Sequence, residues 1–329
     1  MKKFFIGITI FAVLFAVGFS LSRKETSRTA VWKQSYLALG TVVQIQVRHG
    51  ERGIAEAAMA KAIAEIRRVE ALFTACDPKS PIGTINSSAA TSFSVSPEVY
   101  GLMRQCDAFW RSTSGAFDAG LGAVSEVWGF RRGQPAVPPA EKLREALKKS
   151  GWRHVRLEEG NRLRRTAPVQ LDLGAMVPGY AVDRALAVLK REGMAEALVD
   201  GGGEIGSTGG EWIIGIQHPR TRGEMVRRLK LRGLAVATSG DYEQYFEKDG
   251  RRYHHILDPR TGFPATGCQS VTVLAADDAA ADALSTGFFV LGPEETMRFV
   301  REMPGVHAMV VDAAGRIHAS EGFAAFVVE

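Results

Sequence analysis

The chain has 329 residues, 46% of them hydrophobic and 23% charged, the balance of a globular protein long enough for one large domain or two ordinary ones. Its net charge of +5 permits attraction to anions. The paired basics Arg67-Arg68, Arg131-Arg132, Arg164-Arg165 and Arg227-Arg228 are scattered, however, as on solvated faces, so no nucleic-acid partner is expected.

Lys2 and Lys3 precede an uncharged, mostly apolar run from Phe4 to Leu21, followed by Arg23 and Lys24. Residues 1–22 therefore read as a signal peptide, cleaved near Ala16-Val17-Gly18, or as an uncleaved membrane anchor. The leading lysines favour an N-in orientation, which puts the globular part on the periplasmic side. Cys76, Cys106 and Cys268 are too few and too far apart for a disulfide framework or a metal site. None lies close after the apolar run, so the protein is not expected to be a lipoprotein. Residues 23–30 read as a polar linker, and 31–329 as one globular domain.

Leu37 to Val47 is β-rich and predicts a strand. Residues 53–74 carry Met59, Ile63, Ile66, Val69 and Phe73 at helical spacing. Loop chemistry fills 75–92. Ser96-Pro97-Glu98 opens a helix to about Ser112. The segment 113–137, Gly-rich and aromatic, reads as an ordered loop. A helix is expected over 139–150 and strands over 153–158 and 168–173. Pro178 suits the first turn of a helix running to about Arg191. Strands follow at 196–200, 212–216, near 226–238, at 251–257 and at 270–275. Helices over 278–290 and 293–302 precede strands at 307–312 and 315–319. No repeat or long linker divides this order, which predicts a single α+β domain of layered helices and mixed or antiparallel sheets.

VDGGGEIG (199–206) formally holds a G-x-G-x-x-G fingerprint, but a strand-like stretch follows where a dinucleotide site needs a helix, so the glycines mark a hairpin or a close backbone approach. LDLGAMVPGYAVD (171–183) is a strand-to-helix crossover; its helix N-terminus is either an anion site or an ordinary connection. His254 and His255, adjacent on a strand, face opposite ways and do not bind one metal together. Asp282 and Thr286, four apart in ADALST, share a helical face. A carboxylate and a hydroxyl there make a hard-oxygen corner suited to Mg²⁺, which completes its shell with water and phosphate oxygens.

Taken in order, LGT (39–41), the loop from Ser80 to Asn86, GAFD (115–118), WGF (128–130), DLGAMVPGYAVD, GGGEI, TSGDY, HHILDPRTG and ADALST resemble the FAD:protein FMN transferase (ApbE) family over residues 36–329. The resemblance implies Mg²⁺ held by the Ala175 carbonyl, Asp282 and Thr286. It implies FAD contacts at Leu39, Cys76, Ala116, Phe117, Asp118, Asp172, Pro178, His255 and Ile256. The implied reaction transfers FMN from FAD to a Ser or Thr hydroxyl of an acceptor protein, a membrane-linked redox subunit, and releases AMP. His255 is then the candidate base, with Asp258 to orient it. The chain departs from the family pattern at Leu39 (usually Met), Cys76 (usually aromatic), Pro178 (often Lys or another polar residue) and Pro81 (usually Glu). Those exchanges imply altered ring binding beside an intact metal corner. They leave two alternatives: a Mg²⁺-dependent hydrolase giving FMN and AMP, and a flavin-binding protein without turnover.

Overall fold

The computed structural model describes residues 29–131 and 133–328. The leader expected over 1–22 lies outside them, as does nearly all of the linker expected over 23–30. Among the described residues no helix is long and apolar enough to cross a membrane.

The first segment corrects the single strand expected over 37–47. β1 (Ala30–Ala38) and β2 (Thr41–His49) form an antiparallel hairpin in register from Ala30 opposite His49 to Ala38 opposite Thr41. Leu39 and Gly40 make its turn, at φ 54° and 72°. Two successive positive φ angles match the twist of the paired strands, but the position favours Asn or Gly. A leucine there costs about 1–2 kcal/mol, and its apolar side chain disguises the turn as strand.

α1 (Arg52–Phe73) buries one stripe from Ala55 through Met59, Ile66 and Val69 to Phe73. Two helices replace expected loops. α2 (Pro81–Ser87) starts at Ser80, whose hydroxyl accepts the Gly83 N–H at 2.9 Å; after β3 (Ser92–Ser94) and α3 (Pro97–Ser112), α4 (Gly122–Trp128) buries Val124 and Trp128. α5 (Ala140–Lys148) precedes β4 (Val155–Glu158) and β5 (Arg162–Arg165). The strand expected over 168–173 is irregular backbone: Val169, Leu171 and Leu173 alternate into the core without joining a ladder. α6 (Val177–Arg191) then leads to β6 (Glu196–Asp200) and β7 (Glu204–Thr208), the expected hairpin around the glycines.

β8 (Trp212–Gln217), β9 (Met225–Leu231) and β10 (Ala235–Gly240) follow, splitting the stretch expected near 226–238. β11 (Tyr245–Lys248), β12 (Arg251–His254) and β13 (Cys268–Ala275) lead into α7 (Asp278–Leu291) and α8 (Pro293–Arg301). β14 (His307–Asp312), β15 (Ile317–Ala319) and β16 (Val327–Val328) close the chain.

The expected α+β class holds, as layers around one eight-stranded antiparallel sheet of order β1-β2-β6-β7-β10-β13-β14-β15. Helices α1, α6 and α7 pack on one face, so Val43, Ile45 and Val47 share a core with Met59, Ile66, Val182 and Leu189. On the other face a three-stranded sheet, β16-β9-β8, lays Trp212, Ile216, Leu229 and Leu231 over Leu198, Val236 and Leu274.

Candidate active site

The site grows from the contact between α6 and α7. Asp277 caps α7 by accepting the Ala280 N–H at 2.9 Å. Two more amides of that first turn, Asp278 N and Ala279 N, donate to the Asp183 carboxylate of α6 at 2.8 and 2.9 Å. One helix thus supplies the cap of the other, fixing their relative depth. Burial pushes the Asp183 carboxyl up to about 6 against these hydrogen bonds. One turn further along α7, Asp282 accepts the Gly179 N–H of α6 at 3.0 Å.

Asp282 and Thr286 line a cavity of about 540 Å³, together with Ala175 just before α6. The three predicted metal-site residues therefore line one cavity. Thr286 is steadied by the Ser239 hydroxyl at 3.2 Å, which also meets Ser285 at 2.8 Å. Glu204 of β7 and Glu243, neither singled out from the sequence, line the same cavity. Burial raises Asp282 to about 7, with Glu243 and Asp183 adding to the effect. Burial also raises Glu243 to about 7, and pushes Glu204 well above the carboxylate range with help from Asp282 and Glu243. Three crowded acids are costly to ionise together, and a cation among them removes that cost. Among the described residues no three His, Cys, Asp or Glu side chains form a metal-ligating group. A carbonyl, a carboxylate and a hydroxyl beside further acids nevertheless suit a hard, water-retaining ion such as Mg²⁺.

The N-terminus of α6 does not offer the amides an anion site requires. Pro178 has no N–H, Val177 N is spent on Leu173 O, and Gly179 N is spent on Asp282. The connection is an ordinary crossover whose Pro178 lines the cavity as an apolar surface.

His255 lines the cavity immediately after β12. Its Nδ1 lies 3.3 Å from the Gln244 carbonyl oxygen, which only accepts, so Nδ1 carries the proton and Nε2 keeps its lone pair. Burial, reinforced by neighbouring His254, lowers the ring to about 4, leaving it neutral at physiological pH. His254 turns the other way, its Nε2 at 2.8 Å from Ala265 O. Asp258 does not orient His255: its carboxylate holds Arg260 at 2.8 Å through Nε and Nη2 and caps the turn at the Arg260 N–H. The Gln244 carbonyl does the orienting instead.

The other predicted flavin contacts divide. Leu39, Ala116, Phe117, Asp118, Asp172 and Ile256 line the cavity with His255 and Pro178. Phe117 sends its ring into the core against Phe109, so its backbone is what the cavity meets. Asp118 is occupied by Gly120 N at 2.7 Å and Trp152 N at 2.8 Å; burial raises it to about 6. Cys76 is exposed between α1 and α2 and is not among the residues that line the cavity. Phe130 provides an aromatic lining surface instead, with its ring centroid 6.5 Å from that of His255. Arg131, also missed from the sequence, is a nearly buried cation on the cavity wall 3.5 Å from Asp172. The WGF motif adjoining it was the available signal.

A model of the ApbE family matches residues 39–310. An FAD:protein FMN transferase of Treponema pallidum is 34% identical over 90% of this chain and 88% of its own length. One from Klebsiella pneumoniae is 31% identical over 87% of this chain and 90% of its own. Among solved structures, an ApbE protein of Thermotoga maritima superposes with a TM-score of 0.84 at 37% identity, covering 91% of this chain and all of the other. The flavin transferase ApbE of Vibrio cholerae gives 0.81 at 28% identity, over 91% and 99%.

Proposed function

The chain belongs to the ApbE family and is an FAD:protein FMN transferase, and we propose that it uses Mg²⁺ to move FMN onto a Ser or Thr hydroxyl with release of AMP. The observation that carries the reading is the meeting of Ala175, Asp282, Thr286 and a neutral His255 on one cavity. Mg²⁺ at the first three would neutralise diphosphate charge and polarise the attacked phosphorus.

The chain's own residues do the rest. His255 Nε2 accepts the hydroxyl proton as the acceptor oxygen bonds to the FMN phosphorus, and the bond from that phosphorus to the AMP oxygen breaks. A pyrophosphate split by a weak alcohol depends on alignment and charge stabilisation more than on covalent help. The Gln244 carbonyl holds the imidazole in the proton-accepting tautomer. Arg131 and the walls around Phe130 and Pro178 enclose the substrate and exclude water that would otherwise compete as nucleophile.

Incubating the purified domain with FAD, Mg²⁺ and an apo redox subunit tests the reading: the subunit is expected to become fluorescent in a denaturing gel, with one AMP per flavin. Free FMN plus AMP with an unlabelled subunit would overturn it. We also propose that acceptors are membrane-linked redox subunits and that the domain works outside the cytoplasmic membrane, because a leader-like run spans Phe4 to Leu21. Activity of a phosphatase reporter fused after residue 30 checks the compartment.

His255→Gln is expected to lower kcat by about 10²–10⁴, the usual worth of a positioned base, with little change in FAD affinity. Since the imidazole is neutral above about pH 4, any acid limb of the rate between pH 5 and 8 should survive this substitution. A limb that vanishes in the variant would show that His255 titrates in that range after all.

A further inference from the structure

Flavin transfer to a protein requires a macromolecule to reach the cavity rim, and one part of that rim is apolar where its surroundings are polar. Leu37 and Val42 sit directly opposite each other on β1 and β2, next to the Leu39-Gly40 turn. Leu37 is 78% exposed, the most exposed large hydrophobic among the described residues, and Val42 is 48% exposed. Directly opposed strand residues hold their Cβ atoms about 5 Å apart, so the two form one patch. The turn beyond them, Leu39, Gly40 and Thr41, lines the cavity. With strands rising about 3.3 Å per residue, the patch stands roughly 7 Å from the lining residues.

On the same outer face Lys33, Ser35, Gln44 and Gln46 separate the tip from Val31, 50% exposed at the far end of β1, so Leu37 and Val42 are the apolar patch at the end that meets the site. The small sheet reaches the far end of the hairpin through Arg48 over Trp212 and otherwise packs against Leu198 and strands beyond it, so among the described residues the hairpin tip is uncovered. Among the described residues β1 is also the edge of the large sheet, and its outward N–H and C=O groups suit pairing with an extended chain. The other exposed hydrophobics, such as Ile54, Ile213, Met225 and Ile317, lie on elements that do not line the cavity. Tyr245, next in sequence to the cavity-lining Gln244, is covered by the Arg252 guanidinium at 4.0 Å.

We propose that the Leu37–Val42 tip is the docking surface for the acceptor protein: an extended acceptor segment lays an apolar side chain across it, and the adjoining Ser or Thr hydroxyl enters the cavity over Leu39 and Gly40. The inference rests on the transferase reading and adds the surface that selects the protein substrate.

The test uses the full chain with FAD, Mg²⁺ and the recombinant apo form of a redox subunit that normally carries covalent FMN on a threonine. The variant Leu37→Asp/Val42→Asp is expected to raise the KM for that subunit at least about tenfold, because docking loses an apolar patch and gains charge. FAD affinity, read by quenching of flavin fluorescence, and kcat at saturating acceptor should stay within twofold. The conservative Leu37→Met/Val42→Ile pair should restore the wild-type KM. An unchanged KM in the Asp variant overturns the docking surface, as does an equal loss of FAD binding, which would make the tip part of the flavin site. No labelling by the wild-type chain would instead remove the transferase reading, and this inference with it.

Discussion

Asp282→Ala is expected to lower FMN transfer at saturating FAD and Mg²⁺ by at least about a thousandfold, the equivalent of about 4 kcal/mol in the barrier. The size follows from what the side chain does. It is the only carboxylate of the proposed Ala175–Asp282–Thr286 metal corner, and it is buried on α7 against the Gly179 N–H. Water in the space left by alanine cannot replace a fixed negative charge.

Asp282→Asn separates chemistry from folding, since the amide oxygen can still accept from Gly179 while the charge beside Glu204 and Glu243 is removed. The metal-free form of this variant should melt at the same temperature as the wild type or higher, because a crowded buried acid is lost, yet transfer should fall as far as in the alanine variant. Retained activity in the Asn variant would dismiss the carboxylate as a metal ligand. A large fall in Tm would assign Asp282 a structural role instead.

How much of this was legible in the sequence depended on the range over which each feature is determined. Asp282 and Thr286 were readable because a helix makes four-residue spacing a spatial statement, and α7 has a recognisable cap in Asp277. The glycine hairpin at 201–203 was readable for a similar local reason: a strand follows where a nucleotide fold needs a helix. Leu39-Gly40 was not, because leucine in a left-handed turn defies propensity and only pairing with the rest of the sheet maintains it. The orienting role expected of Asp258 does not hold, because proximity along the chain is not contact. Asp258 turns to Arg260 inside its own loop, and Cys76 sits outside the cavity lining despite its place in a recognised stretch. Glu204, Glu243 and Arg131 come from three distant segments, and their convergence exists only once β7, the loop before β11 and the end of α4 are in place.

Gly179→Ala should then do more damage than its single methyl suggests. A Cβ built at this position lies 2.3 Å from Asp278 O, 2.7 Å from the Asp278 carbonyl carbon and 2.9 Å from Asp282 Cβ. Two of these atoms are α7 backbone, so no side-chain rotation relieves the clash and α6 must move away from α7. That movement stretches the Gly179–Asp282 hydrogen bond and the two bonds by which Asp183 caps α7, so packing and cap are lost together. The expected destabilisation is about 3 kcal/mol, at the upper end for overpacking, or a Tm lower by roughly 6–12 °C.

Activity should fall with it even well below the melting temperature, because Asp282 and Thr286 ride on the displaced helix. Gly53→Ala is the control: it also lies in a helix, α1, but its added Cβ meets nothing within 4 Å. There alanine should stabilise by about 0.5–1 kcal/mol through backbone entropy alone. If Gly179→Ala melts like Gly53→Ala, the two helices are not in the contact that positions the site. If it melts early but transfers FMN at the wild-type rate at 25 °C, the metal corner does not depend on that contact.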